Sequence, residues 1–327
     1  MFYNLLKTPV FIKSGRTLLG KLDLLLNEAH LIFPDKILIT QENLYDSYKH
    51  QLSTTKFSKI LYVSGGKFEE TNKVMDVCRG ENAIIVAFGG GSVLDVVKYA
   101  ASKMDMPYVA IPSALSNDGI CSCIARLTRD GRKVSLDVQP PIGIIIDFDV
   151  IRKAPKVLLY AGIADLVSNL SAIQDWRLAY HNIGEPINEL AYILAKEAAL
   201  PMLRYSEKDI NSEQLLKDLA NGLITSGLSM IASGNSRGTS GAEHLISHAI
   251  DVYYPEKSTI HGIQVGWAQG IIAKRYRNDP FFINAFHERI GLTKVFEEMI
   301  PWSEADFDGL INHAMTVRKR YTVLNTI

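Results

Sequence analysis

Along the first 150 residues, short runs of apolar, mostly β-branched residues alternate with stretches whose apolar positions recur at helical spacing. KILIT (36–40), KILYVS (59–64), AIIVAF (83–88), PYVAI (107–111) and IGIIID (142–147) read as strands bounded by turn residues. Between them, ENLYDSYKHQ, KFEETNKVMDVC and SVLDVVKYAASK carry the helical period. Short apolar strands alternating with helices indicate a parallel sheet covered on both faces. TRDGRK interrupts the rhythm and predicts a hairpin turn at Asp130-Gly131, between CIARL and VSLDV.

After about residue 150 the strand rhythm stops and long helical patterns take over: VLLYAGIADLVSNLSAIQDWRLAY, NELAYILAKEAALPMLRY and EQLLKDLANGLITSGLSMIAS. Pro155, Pro186, Pro255, Pro280 and Pro301 stand near plausible helix starts or loops. The pattern therefore predicts an α/β amino-terminal domain with a mostly parallel sheet (1–150), then an all-α carboxy-terminal domain (151–327). IDFDVIRKAP (146–155) is the expected junction.

Composition changes this picture little. The 327 residues are 47% hydrophobic and 21% charged, as in an ordinary globular protein with a well-buried core. Lys+Arg and Asp+Glu are equal at 35 each, so no net field draws nucleic acid or an anionic membrane. Cys78, Cys121 and Cys123 are too few and too unevenly spaced for a disulfide framework, and read as reduced thiols, the last two on one face of a strand. MFYNLLKTPVFI lacks the apolar core of a signal peptide, and the apolar runs are much shorter than a membrane span. The expectation is a cytoplasmic protein.

Two loops carry candidate chemistry. AIIVAF runs straight into GGGSVLDVVKYAA, so Gly89, Gly90 and Gly91 leave a buried strand and a helix starts near Ser92. Helix-terminal N–H groups without side chains in the way suit a pyrophosphate, and Ser92 can cap the helix or donate to phosphate. The spacing is neither the G-x-G-x-x-G fingerprint nor a Walker loop, and a tight packing turn is the plain alternative. The next strand ends in IPSALSNDGICS, where Ser113, Ser116, Asn117, Asp118 and Ser122 cluster at the same sheet edge. Asx and Ser turns would explain those residues equally well one at a time.

The helical half offers SGAEHLISHAID and HGIQVG. His244 and His248, at i and i+4, share a helix face, and His261 follows a loop. A catalytic divalent site needs three protein ligands and an open position. Asp165, in the otherwise apolar AGIADLVSN, is a candidate third ligand, because a buried carboxylate costs several kcal/mol unless it is paired or bound to a cation. Glu243 is a further candidate, as ligand or as support for one. Hydrogen-bonded core histidines and a half-solvated Asp165 at a helix start remain the ordinary alternatives.

Together, GGGSVLDVVKYAA, PSALSNDG, AGIADLVS…DWRLA, SGAEHLISHAID and HGIQVG resemble one family in the same order, from Ala83 to Gly266, with RYTVLN continuing the likeness. The chain resembles the sn-glycerol-1-phosphate dehydrogenases, within the superfamily of iron-containing alcohol dehydrogenases, glycerol dehydrogenases and dehydroquinate synthases. The resemblance implies a dehydroquinate synthase-like fold, NAD or NADP, and one divalent metal: zinc, nickel or iron. By motif, it assigns Gly89, Gly90, Gly91, Ser92 and Asp95 to cofactor phosphates and ribose. Ser113, Ala114, Leu115 and Ser116 fall on the nicotinamide side, with Ser122 also touching cofactor. Asp165, His244 and His261 match metal ligands, acting in catalysis through the metal, while Asp118, Asp165 and His248 match substrate contacts. The implied reaction is hydride transfer between sn-glycerol 1-phosphate and dihydroxyacetone phosphate, in a homodimer or larger homo-oligomer.

This chain departs from the family pattern at four places. Ile263 replaces the usual Glu in HGIQVG, Ser113 a common Thr, Cys123 a frequent Pro, and Gln41 an Asp that holds the ribose. Gln41 would repel a 2′-phosphate less than Asp, so NADP is also expected to be accepted. Three other functions share the superfamily: a glycerol or small-polyol dehydrogenase, a carbocycle-forming phosphate lyase, and a non-catalytic relative, the last suggested by Ile263.

Overall fold

The computed structural model describes residues 7–276, 279 and 281–327; Pro280 and residues 1–6 of the amino-terminal stretch lie outside them. Two compact units are formed, one from Met1–Ala114 with Gly119–Ala154, the other from Leu115–Asp118 with Pro155–Ile327. The short segment Leu115–Asp118 has no counterpart in the sequence reading, which divides the chain once.

In the first unit the elements run β1 (Phe11–Gly15), α1 (Leu22–Glu28), β2 (Asp35–Thr40), α2 (Glu42–Leu52), β3 (Lys59–Tyr62), α3 (Phe68–Cys78), β4 (Ala83–Gly89), α4 (Gly91–Met104) and β5 (Tyr108–Pro112). β6 (Ile124–Arg129), β7 (Arg132–Asp137), β8 (Gly143–Asp147) and α5 (Phe148–Ile151) follow. Six strands pair in parallel in the order β1-β8-β5-β4-β2-β3. β4, β5 and β8 are buried at every position, which is why they read as unbroken apolar runs. Leu38, Ile84, Val86, Phe88, Val109 and Ile145 form one core with Leu22, Leu26 and Tyr48. Each such side chain contributes about 1.5–3 kcal/mol by leaving water. The chain passes from β2 out to β3 and returns to the other side of β2 as β4, so the strand order reverses there. In open parallel sheets ligands bind outside the carboxyl ends of strands at such a reversal.

β1 is the strand that the hydrophobic pattern does not announce. FIKSG lies at the sheet edge with only Phe11 buried, so it lacks the apolar run of a central strand. The expected hairpin is β6–β7, with Asp130 and Gly131 at φ 51° and 73°, the left-handed pair that a tight hairpin turn needs. Cys121 and Cys123 precede β6 instead of lying on a strand, because the chain is still in the loop after a short 3-10 turn at Asp118–Ile120.

In the second unit the described residues form α6 (Lys156–Ile183), α7 (Glu189–Ala199), α8 (Glu213–Ser233), α9 (Ala242–Tyr253), α10 (His261–Tyr276), α11 (Ile283–Ile290), α12 (Leu292–Met299) and α13 (Phe307–Val317). Pro201 ends the helical pattern of α7 as a 3-10 turn, Leu200–Arg204. α6 is 28 residues long and apolar almost all round, because α7, α8, α9, α10 and α12 pack about it. Among the described residues it is the one helix long and apolar enough to cross a membrane, and 72% of its most apolar window is buried inside the protein.

Candidate functional site

On the sheet side, β4 ends at Gly89, beside Pro112 of β5, and Ser113 N–H donates to the Gly89 carbonyl. The N-cap of α4 is Gly90, and no side chain caps the helix. This corrects the expectation that Ser92 caps α4: Ser92 already lies within the first turn. The first N–H groups of α4 thus form an end that suits an anion. A glycine pair after β3 also borders this end. Gly65 and Gly66 have φ of 90° and 81°, and a Cβ on Gly65 would strike the Ser92 side chain at 2.6 Å. Glu70 fixes that loop by accepting from Ser64 and Gly65 N–H. The signal for it was present in SGG, directly after a strand.

Asp95 and Ser122, both expected at the cofactor, are tied together by Lys98. This fully buried ammonium lies 3.1 Å from Asp95 Oδ1 and donates to Ser122 Oγ and the Ile124 carbonyl. Burial pushes the Asp95 carboxyl above its ordinary range, and Lys98 opposes that shift. Gln41 stands at the carboxyl end of β2 and donates to the Ser64 carbonyl. Ser113 is half-buried and Ala114 buried at the end of β5. Of the remaining cofactor candidates, Leu115 is buried and Ser116 half-buried, and both belong to the second unit.

In that second unit three helices bring their polar side chains together. α6 supplies Asp165, α9 His244 and α10 His261, with one ligand-capable atom from each lying within 4.8 Å of the others. Asp165 Oδ1 is 3.7 Å from His244 Nε2 and 3.9 Å from His261 Nε2. His248 stands beside them, its ring centroid 6.2 Å from that of His244 and 5.8 Å from that of His261. The shared face of His244 and His248 therefore does not make them equivalent, since only His244 joins Asp165 and His261 at ligand distance.

Packing explains how the groups meet. Gly262 and Gly266 on α10 face α6, and a Cβ on Gly262 would penetrate the Ala161 carbonyl. Gly162 does the same for the Leu115 carbonyl, which lets Leu115–Asp118 lie against α6. Asp118 N–H then donates to Asp165 Oδ2 at 3.2 Å, and Asp118 Oδ2 accepts from Ser226 of α8. Asp165 is the tenth residue of α6 and is buried, so the half-solvated helix-start reading does not hold. Burial first, and the Asp118 carboxylate second, push the Asp165 carboxyl up to about 7, with His244 acting the other way.

Both ring nitrogens that face away from Asp165 are engaged. His244 Nδ1 lies 3.0 Å from Glu243 Oε1, and His261 Nδ1 lies 2.9 Å from Ser247 Oγ. Gln264 Nε2 donates to the same Ser247 hydroxyl. Ser247 and Gln264 were not visible as site residues in the sequence, although both fall inside its histidine motifs. Ile263 is fully buried. Two imidazoles and a carboxylate with an anchored outer shell are a donor set that fits a divalent cation of the zinc, nickel or iron type.

Residues 12–155 match the iron-containing alcohol dehydrogenase family. The chain is 32% identical to a protein of Thermococcus sibiricus named glycerol-1-phosphate dehydrogenase (NAD(P)+), covering 99% of this chain and 94% of that one. A protein of Archaeoglobus fulgidus with the same name is also 32% identical, over 100% of this chain and 95% of that one. The chain belongs to the glycerol-1-phosphate dehydrogenase family. Membership makes it an oxidoreductase of the iron-containing alcohol dehydrogenase type. Its fold is that of glycerol dehydrogenase from Schizosaccharomyces pombe, with a TM-score of 0.77 at 18% identity over 98% of this chain and 85% of that one. The glycerol-1-phosphate dehydrogenase family thus supplies a dehydrogenase context for the three-helix cluster.

Proposed function

We propose that the protein interconverts sn-glycerol 1-phosphate and dihydroxyacetone phosphate with NAD or NADP, using one divalent cation held by Asp165, His244 and His261. The observation that carries this is the convergence of those three side chains in a chain matching glycerol-1-phosphate dehydrogenases along almost their whole length. When bound, the cation supplies Lewis-acid polarisation of the reacting carbon–oxygen bond and the nicotinamide supplies or accepts the hydride.

The chain's own residues do the rest. Asp165 brings a buried negative charge to the cation, and the helices that carry His244 and His261 hold their Nε2 atoms toward it. Asp118, braced by Ser226, accepts from a substrate hydroxyl. His248, beside the cluster, meets the substrate phosphate or passes a proton, and an imidazole is suited to either near neutral pH. The uncapped end of α4 takes the cofactor pyrophosphate, with Ser92, Asp95 and Ser113 placing its sugar. Exposed Tyr180, Ile183, Leu190 and Ile193, at the end of α6 and on α7, support assembly into a homodimer or larger oligomer.

The test is turnover of metal-loaded protein with NADH or NADPH and one of three substrates: dihydroxyacetone phosphate, dihydroxyacetone or a deoxyheptulosonate phosphate. Loss of reduced nicotinamide is expected with dihydroxyacetone phosphate, at a kcat/KM at least about tenfold above dihydroxyacetone. A preference for dihydroxyacetone would make the protein a polyol dehydrogenase. Phosphate release without net loss of NADH would make it a lyase.

A further inference from the structure

We infer that Glu243 is a positioning residue for His244, holding that imidazole with its proton on Nδ1 so that Nε2 offers a lone pair to the Asp165–His261 side. The inference rests on the ligand set proposed above and deepens it. Glu243 is the first-turn residue of α9 directly before His244, and its side chain is fully buried. Its Oε1 lies 3.0 Å from His244 Nδ1 and accepts the Gly241 N–H at 2.6 Å, so one oxygen fixes both the helix start and the ring.

That oxygen already accepts from Gly241, and an oxygen aimed at Nδ1 in the same way takes the ring proton there and leaves the far nitrogen as a donor of electrons. His244 Nε2 is that far nitrogen, 3.7 Å from Asp165 Oδ1. Two further contacts hold the start of α9. Asp175 takes the next N–H, that of Ala242, at 2.7 Å, so the end of α9 does not depend on Glu243 alone. Arg320 donates to the Ser240 carbonyl, directly before Gly241, which brings a guanidinium into the same buried neighbourhood. The other imidazole meets the Ser247 hydroxyl at its own Nδ1.

The experiment is competition titration of zinc(II) against a chromophoric chelator, on the full chain and its E243Q and D165A variants. E243Q keeps the size of the side chain and an oxygen for Gly241, but an amide that both donates and accepts no longer dictates the tautomer. It should weaken zinc binding about tenfold or more, with a metal-free melting temperature within about 3 °C of the parent. At saturating cobalt(II), the visible ligand-field band of E243Q should differ from that of the parent, a change that a merely structural brace would not cause. Zinc affinity in E243Q within about threefold of the parent, or a loss that merely tracks a collapsed metal-free melting temperature, would overturn the inference. D165A keeps the two claims apart. Binding lost in D165A but kept in E243Q removes only the role of Glu243, whereas binding kept in D165A removes the ligand set and this inference with it.

Discussion

Replacing Asp165 by alanine is expected to abolish stoichiometric metal binding and to lower kcat/KM for dihydroxyacetone phosphate by about a thousandfold, roughly 4 kcal/mol of transition-state stabilisation. The size follows from what the residue does in the fold. It is the buried carboxylate of the cluster that faces both imidazole Nε2 atoms. Its remaining oxygen accepts from Asp118 N–H, so its removal also frees the segment proposed to touch substrate. Its loss should not unfold the protein, since a buried carboxyl pushed up to about 7 by burial and by Asp118 is a cost to the metal-free fold. Metal analysis, steady-state kinetics and circular dichroism on one preparation check this. Retained metal with lost activity would move Asp165 from ligand to substrate contact.

The second large effect concerns packing. Gly262→Ala should destabilise the helical unit by roughly 3 kcal/mol, lowering its melting temperature by about 6–12 °C. A methyl group there meets the backbone carbonyl of Ala161, which cannot rotate away as a side chain can. α10 must then move off α6, and His261, the first residue of α10, moves with it. Metal affinity should therefore fall even where the variant still folds. Thermal denaturation with and without zinc is the measurement, and an unchanged melting temperature would show that the two helices have slack that the geometry does not suggest.

Much of this architecture was legible in the residues, and the exceptions have physical causes. Central parallel strands are buried on both faces, so AIIVAF and IGIIID announced themselves as continuous apolar runs. β1 sits at the edge with a single buried residue, and nothing in FIKSG marks it. Asp165 stood out because a carboxylate amid Ala, Ile, Leu and Val is costly without a partner. His244 and His248 could not be told apart by spacing, because i and i+4 always share a face. What separates them is the approach of α6 and α10, a tertiary fact set by Gly262 and Gly266. The four-residue interval between Gly262 and Gly266 was in the sequence, but it reads as a close helix contact only when the neighbouring helix is known. Ser92 failed as a cap because the helix begins one residue before it, at Gly91, with Gly90 as the cap position. Among the supports of the histidines, Glu243 was a candidate because it adjoins His244, whereas Ser247 and Gln264 are indistinguishable in sequence from solvent-facing polar residues, yet all three are fully buried.

The central claim is that Asp165, His244 and His261 together hold one divalent cation. Anomalous diffraction from crystals grown with zinc(II) or cobalt(II) tests it most directly. The expected result is one dominant anomalous peak about 2.0–2.2 Å from an Asp165 carboxylate oxygen and from Nε2 of both His244 and His261, with His248 outside the coordination sphere. A peak that includes His248 in place of His261, or no peak at these three residues in fully loaded crystals, would contradict it.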